Sequence, residues 1–324
     1  MFTVYSDNYL EAEWFLALDP ALDGSRIEIL GSRGSHAAVI NELLGYDRPD
    51  IILCQDSSPV LIVEKTREVP TGHNVGQRVA RLVRSVELGV PAIKFFPFDA
   101  RKHGRHSSIC SLNVRLLAAF ERMTHIHQVP MLACNWPADE TGELVIDGSE
   151  NVRISELVST FISNGCSPWW PEAEQQLDYL RAEYAKRVDA YANYANPPKS
   201  VTIGTNEELL DKYSEFEHLT VGEQQALFSR EETVVYTIGM TPEKSRREDP
   251  YTGTQFIYDY AWCRSGTLPE NKDRNLVLRF PQISRDTWLR NNPDDISRKS
   301  SNWYLTANAL LFSDGAIFLR KSSE

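Results

Sequence analysis

The sequence is short of the residues that several protein classes require. Its five cysteines are an odd number at wide, unequal spacings, and no Cys-x-x-Cys pair occurs. This pattern argues against a disulfide framework and against the common zinc modules. No uninterrupted apolar run approaches the roughly 20 residues that a membrane-spanning helix needs. The first residues lack a basic segment followed by an apolar one, so we expect a cytoplasmic chain with no membrane partner.

Positive charge is also scarce. The chain has 34 Lys and Arg against 45 Asp and Glu, which gives a formal net charge of -11. Nonspecific coating of nucleic acid is therefore not expected, because phosphate binding depends on Lys and Arg. Local basic clusters remain: Arg101, Lys102 and Arg105 lie in one loop and Arg33 in another. Each loop is either a nucleic-acid contact or simply solvated.

Two short apolar runs between residues 50 and 66 each carry a carboxylate. The runs flank a polar turn and predict a β-hairpin, with Asp50 starting the first strand and Glu64 near the end of the second. An unpaired charge in a buried strand is unfavourable, so the two acids are expected to share a ligand. Carboxylates on neighbouring strands can hold Mg²⁺, a hard cation that prefers oxygen ligands.

A helix and another strand are predicted directly after the hairpin. Apolar residues at helical spacing can pack on the sheet, while Arg78, Arg81 and Arg84 repeat every third residue along a neighbouring stripe. The strand that follows, over 90–97, carries Lys94. Arginines beside a metal site are suited to gripping phosphates, although a charge stripe is often only a solvated face.

In this order, the elements resemble the PD-(D/E)XK nuclease superfamily, which includes most type II restriction endonucleases. The resemblance covers roughly residues 42–98, less than a third of the chain. Asp50 and Glu64 match the two acidic positions of that superfamily. Gln77 and Arg81 match the Gln and Arg often found on the following helix. Glu42, on a helix predicted over 35–44, matches a supporting acid.

The third catalytic position departs from the superfamily. Alternation along the strand puts the expected lysine at Thr66, whereas the lysine here is Lys65, which points to the opposite face. Three explanations stay open. A bulge turns Lys65 inward; or Thr66 orients a water while Lys94 supplies the ammonium from the next strand; or the site is inactive.

The resemblance implies a fold and a function. It implies an α/β fold with a restriction-endonuclease-like core, in which helices flank a mixed central β-sheet. It also implies a Mg²⁺-dependent, sequence-specific endonuclease that hydrolyses double-stranded DNA. The type II class further implies a prokaryotic homodimer, because two-fold symmetry suits two antiparallel strands, and a cognate DNA methyltransferase encoded nearby. The alternatives are a repair or mobile-element nuclease of the same fold and a catalytically inactive module that binds nucleic acid.

The length of 324 residues allows two domains or one elaborated domain. We predict a nuclease core over 1–137, a helical connector over 138–199 and a C-terminal α+β region over 200–324 for DNA recognition or dimerisation. The connector contains a long amphipathic helix from Pro171. Its apolar stripe is expected to pack against the first domain, and a second subunit is the alternative.

Further local elements are predicted in both halves. A helix is expected over 109–120, and strands are expected over 233–238, 255–263 and 275–280. The segment with Lys244, Arg246 and Arg247 is the candidate for reading the major groove, and an exposed turn is the alternative.

Overall fold

A computed structural model describes most of the chain. The described residues are 1–31, 35–70, 78–102, 108–192, 200–227, 230, 232–246, 253, 255–256, 259, 274–293 and 303–319. Four of the predicted site positions, Arg33, Gln77, Arg105 and Arg247, lie outside these ranges.

A six-stranded mixed sheet organises the N-terminal half. The strands of this half are β1 Phe2–Ser6, β2 Arg26–Ile29, β3 Ile51–Gln55, β4 Ser58–Lys65, β5 Ala92–Phe96, β6 Asp99–Arg101, β7 Ile109–Ser111 and β8 Met131–Asn135. The sheet has the order β2-β1-β3-β4-β5-β8, while β6 and β7 pair separately. The β1–β3 and β3–β4 pairs are antiparallel, and β1–β2, β4–β5 and β5–β8 are parallel. The predicted mixed sheet of an α/β fold is confirmed.

The predicted hairpin is the β3–β4 pair. Its turn has positive φ at both central residues, 48° at Asp56 and 71° at Ser57, which is the requirement of a tight turn that follows the strand twist. Ile51 pairs with Val63. The same antiparallel register, extended by one residue, places Asp50 opposite Glu64.

Helices cover both faces of this sheet. The helices of the N-terminal half are α1 Tyr9–Leu16, α2 Ala38–Leu43, α3 Val79–Glu87, α4 Val114–His127, α5 Val152–Ser163 and α6 Pro171–Val188. On one face, Trp14 of α1 stacks on Phe95 with ring centroids 6.1 Å apart. On the other face, Phe120 of α4 stacks on Phe96 at 6.4 Å. Successive residues of β5 thus point to opposite helical layers, as strand alternation requires.

The long helix from Pro171 packs within the chain, as predicted. Its residues Ala173, Leu177 and Leu180 are buried in the same apolar core as the strands. The Gln176 side-chain amide donates to the Ala133 carbonyl on β8 at 2.6 Å, so the helix is also tied to the sheet edge. The helical segment therefore completes the core of the first sheet.

The helix predicted over 109–120 begins later than expected. Residues 109–111 form β7, and α4 starts at Val114. The cause is Asn113, whose side chain accepts the N–H of Arg115 at 2.9 Å and so caps the helix. The three residues at the start of the expected helix are extended instead.

A second, five-stranded sheet organises the C-terminal part. Its strands are β9 Val201–Gly204, β10 Thr233–Thr237, β11 Asn275–Phe280, β12 Ala309–Phe312 and β13 Gly315–Phe318, in the order β13-β12-β11-β10-β9. Helices α7 Asn206–Lys212, α8 Val221–Leu227 and α9 Arg285–Asn291 accompany it. The strands predicted over 233–238 and 275–280 are confirmed. The strand predicted over 255–263 is wrong where the structure describes it, since Gln255, Phe256 and Asp259 are helical.

Buried contacts join the two halves. Residues of both sheets belong to one apolar core cluster. Within it, Arg115 of α4 forms an ion pair with Asp259, and the Tyr236 hydroxyl donates to the same carboxylate at 2.8 Å. A buried charge needs such partners, so this pair fixes the C-terminal part against α4.

Among the described helices, none combines the length and the apolar character that crossing a bilayer requires.

Candidate active site

The two predicted acids meet across β3 and β4. The Asp50 backbone N–H donates to Glu64 Oε2 at 3.3 Å, and the Lys65 backbone N–H donates to Asp50 Oδ2 at 2.8 Å. Glu64 is fully buried and Asp50 is only 7% exposed. Residues that face each other on antiparallel strands share one side of the sheet. The structure therefore brings these acids together, as the pattern of the sequence predicts.

Arg81 lies between the two carboxylates. From α3, its Nη1 reaches Glu64 Oε2 at 3.0 Å and Asp50 Oδ1 at 3.7 Å. Its Nη2 is 2.5 Å from Asp47 Oδ2. One guanidinium thus touches three acids, of which Asp47 was not anticipated, because nothing in the local sequence shows that it faces the following helix.

The other two arginines of the predicted stripe are also paired with carboxylates. Arg78 Nη1 lies 3.5 Å from Glu64 Oε1. Arg84 Nη2 lies 3.2 Å from Glu42 Oε1, and its Nη1 lies 3.5 Å from Glu87. Glu42 is 55% exposed at this contact. The structure therefore places Glu42 on the surface, where it pairs with Arg84.

Lys94 is brought to the buried acids from the neighbouring strand. It is the register partner of Glu64 in the parallel β4–β5 pair, and it is fully buried. Its Nζ lies 5.2 Å from the centre of the Phe96 ring, on the face that carries α4. Partners in register point to the same side of a sheet. Of the two candidate lysines, Lys94 is the one on the face of Glu64.

Lys65 lies on the opposite face. Its Nζ sits 3.9 Å from the centre of the Trp14 ring and 5.9 Å from that of Trp136. The β4–β5 register continues unbroken from Ile62 to Lys65, and the only recorded shift in this hairpin lies at residues 53–54 of β3. The bulge that would turn Lys65 inward is therefore absent from this part of β4.

Thr66 extends the strand on the site's side. It is 5% exposed, and its backbone N–H donates to the Phe95 carbonyl at 3.0 Å. Its hydroxyl accepts the Glu68 N–H at 3.2 Å. Two residues beyond Glu64, it points by alternation to the same face. Of the two predicted arrangements that supply a lysine to the site, Thr66 with Lys94 agrees with the faces on which the side chains lie.

Burial displaces the pKa values of these groups toward neutrality. Desolvation raises the pKa of Glu64 to about 7, against the opposing charge of Arg81. It raises the pKa of Asp50 as well, again opposed by Arg81. Desolvation lowers the pKa of Lys94 to about 7, and the Glu64 carboxylate opposes this shift. Since Glu64 and Lys94 interact, they titrate as a pair. The cluster therefore changes its charge near neutral pH.

Glu11 is a further acid near the cluster that the sequence did not reveal. Burial raises the pKa of Glu11. Its carboxylate also interacts electrostatically with the charged groups of Asp50, Glu64 and Lys65. Its Oε2 is buried with no hydrogen-bond partner among the residues that the structure covers. No local signal marks it, because α1 reaches the cluster only through the pairing of β1 with β3.

The remaining predicted DNA contacts lie in several places. Arg101 is on β6, where its Nε donates to the Thr141 carbonyl at 2.7 Å. Lys102, Lys244 and Arg246 are exposed. Their exposure keeps them available to a partner, whereas Arg78, Arg81 and Arg84 are engaged with carboxylates of the chain.

Two carboxylates are the oxygen donors that the described residues bring together at this place. In the described part of the chain, no group of three or more His, Cys, Asp or Glu side chains is positioned to hold a metal. Mg²⁺ is often bound through one or two carboxylates and completes its shell with water. Asp50 and Glu64 fit that chemistry, and the guanidinium between them shows that both oxygens face a position suited to positive charge.

Substitution of Lys65 by methionine tests its contact with the indole rings. The Lys65 side chain packs on Trp14 and Trp136, on the opposite face of the sheet from Glu64. The free energy of unfolding should therefore fall by about 1 kcal/mol, the value of a partly exposed cation–π contact. Chemical denaturation of wild type and Lys65→Met measures the change. An equal free energy of unfolding in the two proteins would show that the contact contributes no stability.

A scan against protein-family models, a search of curated proteins and a search of solved structures found no match to this chain.

Proposed function

We propose that the chain is a Mg²⁺-dependent endonuclease that hydrolyses phosphodiester bonds of double-stranded DNA. One observation carries the proposal: Asp50, immediately before β3, and Glu64, on β4, converge on one position, where Arg81 Nη1 lies 3.7 and 3.0 Å from their oxygens. Lys94 joins them on the same face of the sheet. Paired carboxylates with a nearby ammonium are the groups that metal-assisted phosphodiester hydrolysis uses.

Each residue of the site has its own role in the proposed reaction. Asp50 and Glu64 would hold the ion. When bound, Mg²⁺ supplies an activated water and neutralises charge on the scissile phosphate. Lys94, buried and in register with Glu64, would steer the attacking water when its side chain is protonated. Thr66 contributes a hydroxyl on the same side. The water oxygen would bond to phosphorus as the bond from phosphorus to the leaving oxygen breaks, with the proton of the water released to solvent and the leaving oxygen protonated from solvent, so no covalent enzyme intermediate forms.

The finer assignment belongs to the same proposal. We place the chain among site-specific type II restriction endonucleases, acting as a homodimer in the cytoplasm of a prokaryote with a cognate DNA methyltransferase encoded nearby. The basic side chains of Lys102, Lys244 and Arg246 are exposed and can approach the phosphates or the nucleobase edges of DNA.

Supercoiled plasmid tests the activity directly. We expect discrete linear fragments when the purified protein and plasmid are incubated with Mg²⁺, and intact plasmid when a chelator is added. Discrete fragments separate a site-specific enzyme from a repair nuclease, which would cut only at ends, branches or single strands. Equal cutting with and without the chelator, or no cutting over a broad range of pH and salt, would contradict the proposal.

A second candidate is an inactive nuclease-like module that binds nucleic acid. The observation that favours it is again Arg81, because its guanidinium already pairs with both Asp50 and Glu64. Arg78 adds a second positive charge beside Glu64, so the two acids have partners without a metal. Calorimetric titration with Mg²⁺ separates the candidates. Heat of binding that disappears in Asp50→Asn supports the enzyme, whereas the absence of binding alongside retained DNA affinity supports the module.

A further inference from the structure

We infer that Arg81 is a displaceable internal counter-ion, which competes with the divalent cation for Asp50 and Glu64 and withdraws onto Asp47 when the cation binds. The inference rests on the proposed function, since it concerns the same two carboxylates. It adds a residue that controls how tightly the site takes up its metal.

The geometry makes the two cations mutually exclusive at close range. Arg81 Nη1 contacts the Glu64 oxygen at 3.0 Å and lies 3.7 Å from Asp50 Oδ1. A Mg²⁺ ion bound to the same carboxylates would stand about 2.1 Å from each oxygen. A guanidinium beside it in a site shielded from water would repel it strongly, because little solvent screens the charges. Arg81 must therefore move for the ion to bind well.

The structure also provides a place to which Arg81 can withdraw. Its other terminal nitrogen, Nη2, is 2.5 Å from Asp47 Oδ2, and this carboxylate makes no part of the Asp50–Glu64 pair. The Nε–H of Arg81 is buried and has no acceptor among the described residues. The guanidinium is thus held at its tip alone, so rotation about Asp47 removes Nη1 from the acids without leaving the charge unpaired.

The charges around Arg81 favour replacement of Arg81 by the divalent cation over addition of the cation beside it. Asp47, Asp50 and Glu64 face Arg81, and Arg78 also lies 3.5 Å from Glu64. The two arginines already balance two of the three negative charges, so a divalent ion added beside them would leave a positive surplus in a buried place. Withdrawal of Arg81 onto Asp47 moves its charge away from the ion and keeps it paired with a carboxylate.

Calorimetric titration of the full chain with Mg²⁺ tests the exchange. Arg81→Met removes the competing charge and keeps an apolar side chain of similar length, so we expect Mg²⁺ to bind about tenfold more tightly than to wild type. Arg81→Lys retains a positive charge and should stay within about threefold of wild type. Arg181→Met is the matched control, because Arg181 pairs with Glu121 and Asp178 on the surface, and its affinity should equal that of wild type.

Folding is followed in the same samples. If Arg81→Met is unfolded without the ion, Mg²⁺ should restore its circular dichroism and raise its unfolding temperature more than that of wild type. Unchanged or weaker Mg²⁺ affinity in folded Arg81→Met, or failure of Mg²⁺ to restore an unfolded one, would overturn the inference.

The outcomes separate this inference from the function on which it rests. Tighter Mg²⁺ binding by Arg81→Met, with no cleavage of DNA by wild type or variant, would support the exchange and contradict the nuclease. Cleavage by wild type together with an unchanged affinity in Arg81→Met would support the nuclease and contradict the exchange.

Discussion

Substitution of Asp50 by asparagine or of Glu64 by glutamine is expected to reduce Mg²⁺-dependent cleavage of plasmid DNA roughly a thousandfold. Each change keeps the shape of the side chain and removes one of the two negative charges that converge on the cation position. Loss of a metal ligand removes several kcal/mol of transition-state stabilisation, and each 1.4 kcal/mol corresponds to a factor of ten in rate. Lys94→Met in the same panel should lose about a hundredfold, the usual effect of removing one stabilising group.

Glu156→Gln is the control for this panel. Glu156 is an exposed acid on α5 that pairs with Arg153 at 2.6 Å, so its amide variant keeps the same change in net charge at a place remote from the acids. It should cleave at the wild-type rate. Circular dichroism confirms that each variant is folded. Wild-type cleavage by folded Asp50→Asn or Glu64→Gln would rule out the assigned site.

The stability of wild type relative to Lys94→Met is expected to rise steeply with pH above neutrality. Burial lowers the pKa of Lys94 from 10.5 to about 7 in the folded chain. Between these values, the unfolded chain binds a proton at this side chain and the folded chain does not. Stability then increases with pH at a slope of up to about 1.4 kcal/mol per unit. Methionine has no such proton, so the difference between the two proteins isolates the lysine.

The neighbouring acid acts in the same direction. Without Lys94, the raised pKa of Glu64 rises further, because the lysine charge opposes the effect of burial. The variant therefore loses stability with rising pH just above neutrality, while wild type gains it. Urea denaturation of both proteins from pH 7 to pH 9.5 measures the difference. A difference that does not change over this range would show that Lys94 is protonated in the folded chain throughout, contrary to its burial.

Pattern and alternation in the sequence were enough to predict the elements that carry the acids. Two short apolar runs around a polar turn predicted the β3–β4 hairpin, and the structure confirms both strands. A carboxylate on each run predicted that Asp50 and Glu64 lie together, and Arg81 contacts both side chains. Alternation was applied to position 65. It put Lys65 on the other face, which the structure shows beside Trp14. These features depend on neighbours in sequence, so local physics determines them.

Other features depend on contacts between distant segments, and local patterns do not reveal them. Arg81 faces Asp47 because α3 returns over the sheet, a contact that spacing does not encode. Glu42 pairs with Arg84 on the surface for a similar reason. The start of α4 was misjudged because the capping hydrogen bond of Asn113 outweighed an apolar run that also suits a helix.

Position 65 serves two layers of the molecule with separate chemical groups. Its backbone N–H donates to the Asp50 carboxylate. Its side-chain ammonium packs against the indole rings of Trp14 and Trp136 on the other face of the sheet. Every amino acid except proline supplies that amide. A substitution at this position can therefore change the stability that the contact with the indole rings contributes, while the Asp50 carboxylate keeps its hydrogen bond to the backbone N–H.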